Sequence, residues 1–213
     1  MKKIVSEIFD TLIARYPILE REPVERAYAL ISDCYRSGGK LMVCGNGGSA
    51  TDSEHIVGEL MKGFLSRRMP SDAQQKALRD LYPAEEAQYF IDHLQQGLPA
   101  ISLVSQSGLL TAYANDVAAD MVYAQQVFAY AKPGDLLIGI TTSGGSKNVL
   151  NALKVARACG IKSVLLMGSR NAQNAALADV AICVKESETF KVQELHLPVY
   201  HALCAAIEAE YFC

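Results

Sequence analysis

The sequence predicts an α/β fold built on a parallel sheet, with a helical N-terminus and a helical excursion set into the sheet's connections. Three observations predict it. Five short apolar runs recur along the chain, continuous rather than alternating, as strands buried on both faces require. Helix-like segments separate most of them. Glycine-serine loops follow two of the runs and open the next helix.

Taken in order, the first 37 residues are largely helical, with a break expected near Glu22 and Pro23, so two N-terminal helices precede any strand. They can cap the sheet or carry an apolar face into a subunit interface. The first strand is KLMVCG, residues 40–45, and a helix follows from Ser49 to Leu65. Residues 66–98 are polar and rich in Gln and Asp, with helical pieces after Ser71 and Pro83, and read as a surface excursion between strands one and two. The remaining strands are PAISLV (99–104), DLLIGIT (135–141), KSVLLMG (162–168) and VAICV (180–184). A helix from Ser146 to Ala158, stopped by Gly160, links the third strand to the fourth. A long helical stretch starts near Lys191, and Pro198 is expected to bend or interrupt it. With no internal repeat, residues 1–213 read as a single domain: helices over 1–37, then an α/β core over 38–213 that includes the excursion.

Composition narrows the function. The formal net charge is −3 and the only dense basic run is the short SRRMP at 66–70, so nothing favours nucleic acid. No apolar run reaches membrane-spanning length, and the N-terminus has neither an unbroken apolar core nor a small-residue cleavage site. The six cysteines have no C-x-x-C spacing and read as small hydrophobes in a reducing compartment, which makes the cytoplasm the expected address.

Two loops can hold an anion. In CGNGGSATD, Gly45, Gly47 and Gly48 permit a tight turn beside Asn46, and Ser49 or Thr51 can cap the next helix. In ITTSGGSKN, Thr141, Thr142, Ser143 and Ser146 surround two glycines. A helix N-terminus after such a loop offers open N–H groups and a positive dipole end, and a single phosphate needs no more. GNGG lacks the G-x-G-x-x-G spacing of a dinucleotide loop, and Lys147 follows Ser146 where a Walker loop needs it before. An ordinary βα turn explains either loop alone; two of them converging at strand ends argue for a ligand.

His55 and Glu59 are four residues apart on the helix opened by the first loop, so they share a face. In the last helix, Gln193 and Glu194 precede His201 by eight and seven positions, close enough around a 3.6-residue helix for either to share its face. A histidine in an Ala/Leu-rich helix is often a core residue, and Glu59 alone could be a surface charge; together, in apolar surroundings, they call for partners. His55, Glu59, Gln193 and His201 are also zinc-ligand types, with Gln a weak one, so metal is compatible and not required. No organic cofactor is indicated. A sugar phosphate would unite these features: Glu59 as the base that removes a carbon proton, His201 as the acid serving the oxygens while an enediol forms, with the reverse assignment open.

The stretches CGNGGSATDSEHIVGEL, TAYANDVAADMVYAQQV, GITTSGGSKNVLNAL and TFKVQELHLPVYHALC, in this order, resemble the sugar isomerase (SIS) domain family and, within it, the phosphoheptose isomerase group. The resemblance runs from about residue 38 to the end and more loosely over the N-terminal helices. It implies a five-stranded parallel sheet flanked by helices, and a homotetramer whose active sites are shared between subunits. It also implies conversion of sedoheptulose 7-phosphate to D-glycero-D-manno-heptose 7-phosphate for heptose biosynthesis. By the same resemblance Glu59 is the base and His201 the catalytic histidine, with His55 and Gln193 joining them where zinc is held. Asn46, Gly47, Gly48, Ser49, Thr141, Thr142, Ser143, Ser146 and Gln193 contact substrate. Gln106 stands where many relatives have Asp; it can hydrogen-bond a hydroxyl but carries no charge. Phe190 occupies a second such position, and the 66–98 excursion is longer than in compact relatives. The rival reading is a non-catalytic phosphosugar-binding regulator or assembly protein on the same scaffold, since fold alone does not decide function.

Overall fold

The structure, a computed structural model, describes residues 2–213. Helices α1 (Lys3–Arg15) and α2 (Arg21–Arg36) open the chain, followed by β1 (Leu41–Gly45) and α3 (Gly48–Met61). The excursion carries α4 (Asp72–Leu81) and α5 (Ala84–His93). Then come β2 (Ala100–Ser102), α6 (Ser107–Tyr113), a π turn and a 3-10 turn over 114–121, and α7 (Val122–Tyr130). The chain ends with β3 (Leu136–Thr141), α8 (Lys147–Ala158), β4 (Lys162–Met167), β5 (Val180–Cys183) and α9 (Thr189–Phe212).

The five strands form one parallel sheet in the order β2-β1-β3-β4-β5. Because the chain leaves β1 first toward β2 and later returns on its other side to β3, the connections diverge between β1 and β3. A crevice opens at the carboxyl ends of these two strands. That is where both glycine loops leave the sheet.

Strand residues alternate between two helical layers, which is why the runs had to be continuously apolar. Leu41, Val43, Leu136, Ile138, Ile140, Val164 and Leu166 pack under α1, α2, α3 and α9. Met42, Cys44, Leu137, Leu165 and Met167 meet α7 and α8 on the other face. In α1, Val5, Phe9 and Leu12 recur at helical spacing and are buried, so this helix caps the sheet's first layer through α9.

Several local expectations are corrected. Pro23 does not break the N-terminal helices: it lies in the first turn of α2, where its missing N–H costs no helical bond, and the break is at 16–20. Pro198 lies inside α9, which runs without interruption for 24 residues from Thr189. Neither Ser49 nor Thr51 caps α3; the N-cap is Gly47 with φ +56, and Thr51 Oγ1 donates to the Gly48 carbonyl instead. In the excursion the helical piece expected after Ser71 is α4, with Ser71 as its N-cap in a full capping box with Gln74. All six cysteines are free, with Cys34, Cys44 and Cys204 buried and Cys213 exposed.

Candidate active site

The two loops are tied to one another. Asn46 Nδ2 donates to Asn148 Oδ1 at 2.8 Å, and Asn148 Nδ2 donates back to Asn46 Oδ1 at 2.8 Å. Tyr123 fixes the same spot, its hydroxyl donating to the Gly45 carbonyl at 2.6 Å. In the second loop Thr141 and Ser146 hydroxyls pair at 2.9 Å, and Gly145 N–H donates to Ser143 Oγ at 3.1 Å. Gly144 has φ +64, a backbone that other residues resist, and Asn171 and Asn174 brace the turn by donating to the Ser143 and Gly144 carbonyls. Ser146 occupies the N-cap of α8 without capping it, so the helix presents its N-terminal turn to the crevice. Thr142 is half-buried beside these hydroxyls, and Gln106 is exposed at the start of α6, beyond the end of β2.

Close approaches shape the first loop. A Cβ on Gly45 would stand 2.4 Å from the Ser49 carbonyl oxygen, and one on Gly48 would stand 2.1 Å from Gln193 Nε2. Gln193 therefore lies against the N-terminus of α3. Helices α3 and α9 run side by side in one direction: Gly48 faces Gln193 and, seven positions later on both helices, His55 faces Tyr200.

At this second level the titratable groups gather. His55 Nε2 is 3.2 Å from Glu59 Oε1, and the His55 and His201 rings meet edge to face with centroids 5.0 Å apart. Phe64 lies tilted over His201 at 5.5 Å, and Lys62 Nζ donates to Glu59 Oε2 at 2.7 Å. Burial draws the Glu59 carboxyl upward, but the Lys62 ammonium and His55 outweigh it and hold the group below the usual range. Burial, helped by neighbouring His55 and opposed by Glu59, lowers His201. The pair is thus a carboxylate and a neutral imidazole, the protonation states that proton removal from carbon and proton shuttling at oxygen require.

His201 Nε2 is buried without a hydrogen-bond partner, an orphan that a ligand or metal would satisfy. Donor chemistry at this end fits zinc: His55 Nε2 and Glu59 Oε1 are about as far apart as two donors roughly 2.0–2.1 Å from a tetrahedral ion. Among the described residues, no three His, Cys, Asp or Glu side chains converge as a cage. Gln193 sits with Gly48 instead, about 12 Å of helical rise from His201. Glu194 and Phe190 are exposed, and His196 is a core residue whose pKa burial lowers to about 4.

The sequence reading missed Asn148, Tyr123, Tyr200, Asp52 and Lys62. Asn148 is the last residue of the ITTSGGSKN loop, and its i+2 relation to Ser146 was the available signal. Tyr200 adjoins His201 and read as part of an apolar helix.

Comparison with known proteins agrees with this arrangement. Two family models described as the SIS domain match residues 7–79 and 83–207, meeting inside the excursion between α4 and α5. The phosphoheptose isomerase of Aliarcobacter butzleri is 36% identical over 190 residues, covering 89% of this chain and 86% of that protein. The solved phosphoheptose isomerase from Francisella tularensis superposes with a TM-score of 0.73 at 26% identity, covering 98% of this chain and all of that one. The Neisseria gonorrhoeae phosphoheptose isomerase structure gives 0.70 at 28% identity, covering 96% and 91%. Domain matches over most of the chain and relatives of this identity lead to one conclusion: the chain belongs to the SIS-domain family, in its phosphoheptose isomerase group.

Proposed function

We propose that the protein is an aldose-ketose isomerase that interconverts sedoheptulose 7-phosphate and D-glycero-D-manno-heptose 7-phosphate through an enediol. One observation carries the reading: a hydroxyl-lined anion cradle is tied through Asn46 and Asn148 to the N-terminal end of α3, and a carboxylate-imidazole pair gathers where the other end of α3 runs beside α9. Thr141, Ser143, Ser146 and the N-terminus of α8 receive the phosphate, with Thr142 alongside. Asn46, Gly47, Gly48, Ser49 and Gln193 meet the sugar hydroxyls, and Gln106 adds a neutral donor and acceptor. Glu59 takes the proton from C1 and returns it to C2, while His201 moves protons between the two oxygens.

The same separation supports a site shared between subunits in a homotetramer. Glu59 lies eleven positions after Gly48, about 16 Å of rise, whereas a seven-carbon sugar phosphate spans roughly 10 Å from C1 to phosphorus. Met61 and Leu65, beside the Glu59 end, are 50% and 72% exposed and suit burial by a neighbouring copy.

If zinc is present, His55, Glu59 and His201 are the residues that hold it, and it supplies Lewis-acid polarisation of the carbonyl oxygen. Gln193, beside Gly48, suits a substrate hydroxyl better than that metal. Among the described residues no helix is long and apolar enough to cross a membrane, and a cytoplasmic address suits the six free cysteines.

The test is direct: purified protein incubated with sedoheptulose 7-phosphate yields the aldose phosphate. Saturable binding without product favours the phosphosugar-binding regulator instead.

A further inference from the structure

Tyr200 stands beside the acid–base groups and has no part in the steps above. It is 2% exposed, and its hydroxyl meets two groups: it donates to Asp52 Oδ1 at 3.2 Å and lies 3.0 Å from His55 Nδ1. A phenol has one proton, so it cannot donate to both. Ionised Asp52 can only accept, and a phenol carries its one proton at neutral pH. The carboxylate therefore takes the phenol proton, and His55 Nδ1 must supply its own to the phenol oxygen.

We propose that Tyr200, oriented by Asp52, is a positioning residue that holds His55 in its Nδ1–H tautomer and turns the unprotonated Nε2 toward Glu59 and the cleft. The opposite arrangement, with Nε2–H on Glu59 and Nδ1 accepting from Tyr200, leaves Asp52 facing a phenol oxygen with no proton between them. Asp52 would then lose its one hydrogen bond, and its Oδ2 is already buried without a partner. Glu59 needs the His55 proton less, since Lys62 already donates to its other oxygen. In the held tautomer, Nε2 and Glu59 Oε1 are two acceptors 3.2 Å apart. Such a pair is open to a substrate hydroxyl proton or to a cation. A ligating or proton-accepting imidazole is set by the bond its other nitrogen makes. The inference deepens the isomerase reading, because it assigns the nitrogen that His55 offers to that site.

Nitrogen-15 NMR of ring-labelled, chelator-treated full-length protein at mildly alkaline pH reads the tautomer. His55→Asn identifies the His55 signals among the four histidines. The expected result is a protonated Nδ1 and bare Nε2 at His55 in the wild type, changing to Nε2–H in Tyr200→Phe and shifting in the same direction in Asp52→Asn. Asp52→Asn carries the test should Tyr200→Phe fail to fold. An Nε2–H His55 in the wild type, or an Nδ1–H tautomer that survives these substitutions, overturns the proposal. The two readings fail separately: protein that makes no aldose phosphate yet shows the predicted tautomers refutes only the isomerase, and active protein with the wrong tautomer refutes only the role of Tyr200.

Discussion

Asn46 and Asn148 exchange two amide hydrogen bonds, each 2.8 Å, across the crevice between β1 and β3. Each residue leaves a different strand end, so the pair fixes the first glycine loop relative to the second. Asn148→Ala removes the tie while Tyr123 still holds the Gly45 carbonyl beside Asn46. The expected effect is a KM for sugar phosphate raised about tenfold, the equivalent of one net hydrogen bond, with kcat changed less. Steady-state kinetics of Asn46→Ala, Asn148→Ala and the double variant check this; fully additive losses would show that the pair does not act as a unit.

Two glycines in the first loop should respond differently to the same methyl group. At Gly45 the new Cβ meets backbone, 2.4 Å from the Ser49 carbonyl oxygen, and the turn must open. Gly45→Ala is expected to cost about 1–3 kcal/mol of stability. At Gly48 it meets only the end of the Gln193 side chain, which can swing away. Gly48→Ala should leave the urea midpoint nearly unchanged and weaken substrate binding. Equal destabilisation by both would contradict this account of the loop.

Arg68 and Glu208 form a buried ion pair at 2.9 Å, and it anchors the strap that carries Lys62 and Phe64 to the site. Glu208 also accepts from the Phe64, Leu65 and Ser66 N–H groups, while Arg68 donates to the Glu59 and Leu60 carbonyls at the end of α3. Burial raises the Glu208 carboxyl, but these N–H donors and Arg68 outweigh it and hold it below its ordinary value. A depressed folded pKa contributes stability that is fully present above the unfolded value, near 4.3, and is lost as pH falls through the lower folded value. Glu208→Gln should cost about 3–5 kcal/mol at neutral pH, because Arg68 remains buried and unpaired. Urea unfolding from pH 7 down to 3 should show the gap between wild type and variant constant at first, then closing below about pH 4.3. A gap independent of pH would refute the assignment.

The sheet was legible because buried parallel strands must be apolar throughout, and all five runs became strands within about two residues of their expected ends. The two glycine-serine loops, and the gathering of His55, Glu59 and His201, were legible from glycine placement and helical spacing. Signals that depend on partners far along the chain were not. Asp52 and Tyr200 are 148 positions apart and meet only because α3 and α9 lie side by side. The capping residue was misjudged for a local reason: Gly47 takes a positive φ that Ser49 would resist, so the turn closes two residues before Ser49. The 107–121 stretch passes through α, π and 3-10 geometry in succession, and no single period marks it.

The proposed sharing of sites between subunits makes its own prediction. Glu59→Gln protein and Ser143→Ala/Ser146→Ala protein, each inactive alone, should regain activity when unfolded together and reassembled, because some mixed sites draw an intact cradle and an intact base from different chains. Sedimentation of the wild type should give a tetramer. Mixed assemblies no more active than their parents would show that each chain completes its own site.

The most direct test of the central claim follows hydrogen rather than product alone. In deuterated water, wild-type protein converting sedoheptulose 7-phosphate through an enediol should place deuterium on C2 of the aldose, since the proton held by Glu59 exchanges before it returns. Glu59→Gln should lose turnover and label together, by a factor of about 10²–10⁴, and His201→Ala should slow the same conversion. Turnover that persists in Glu59→Gln with deuterium still delivered to C2 would contradict the assignment of Glu59 as the base.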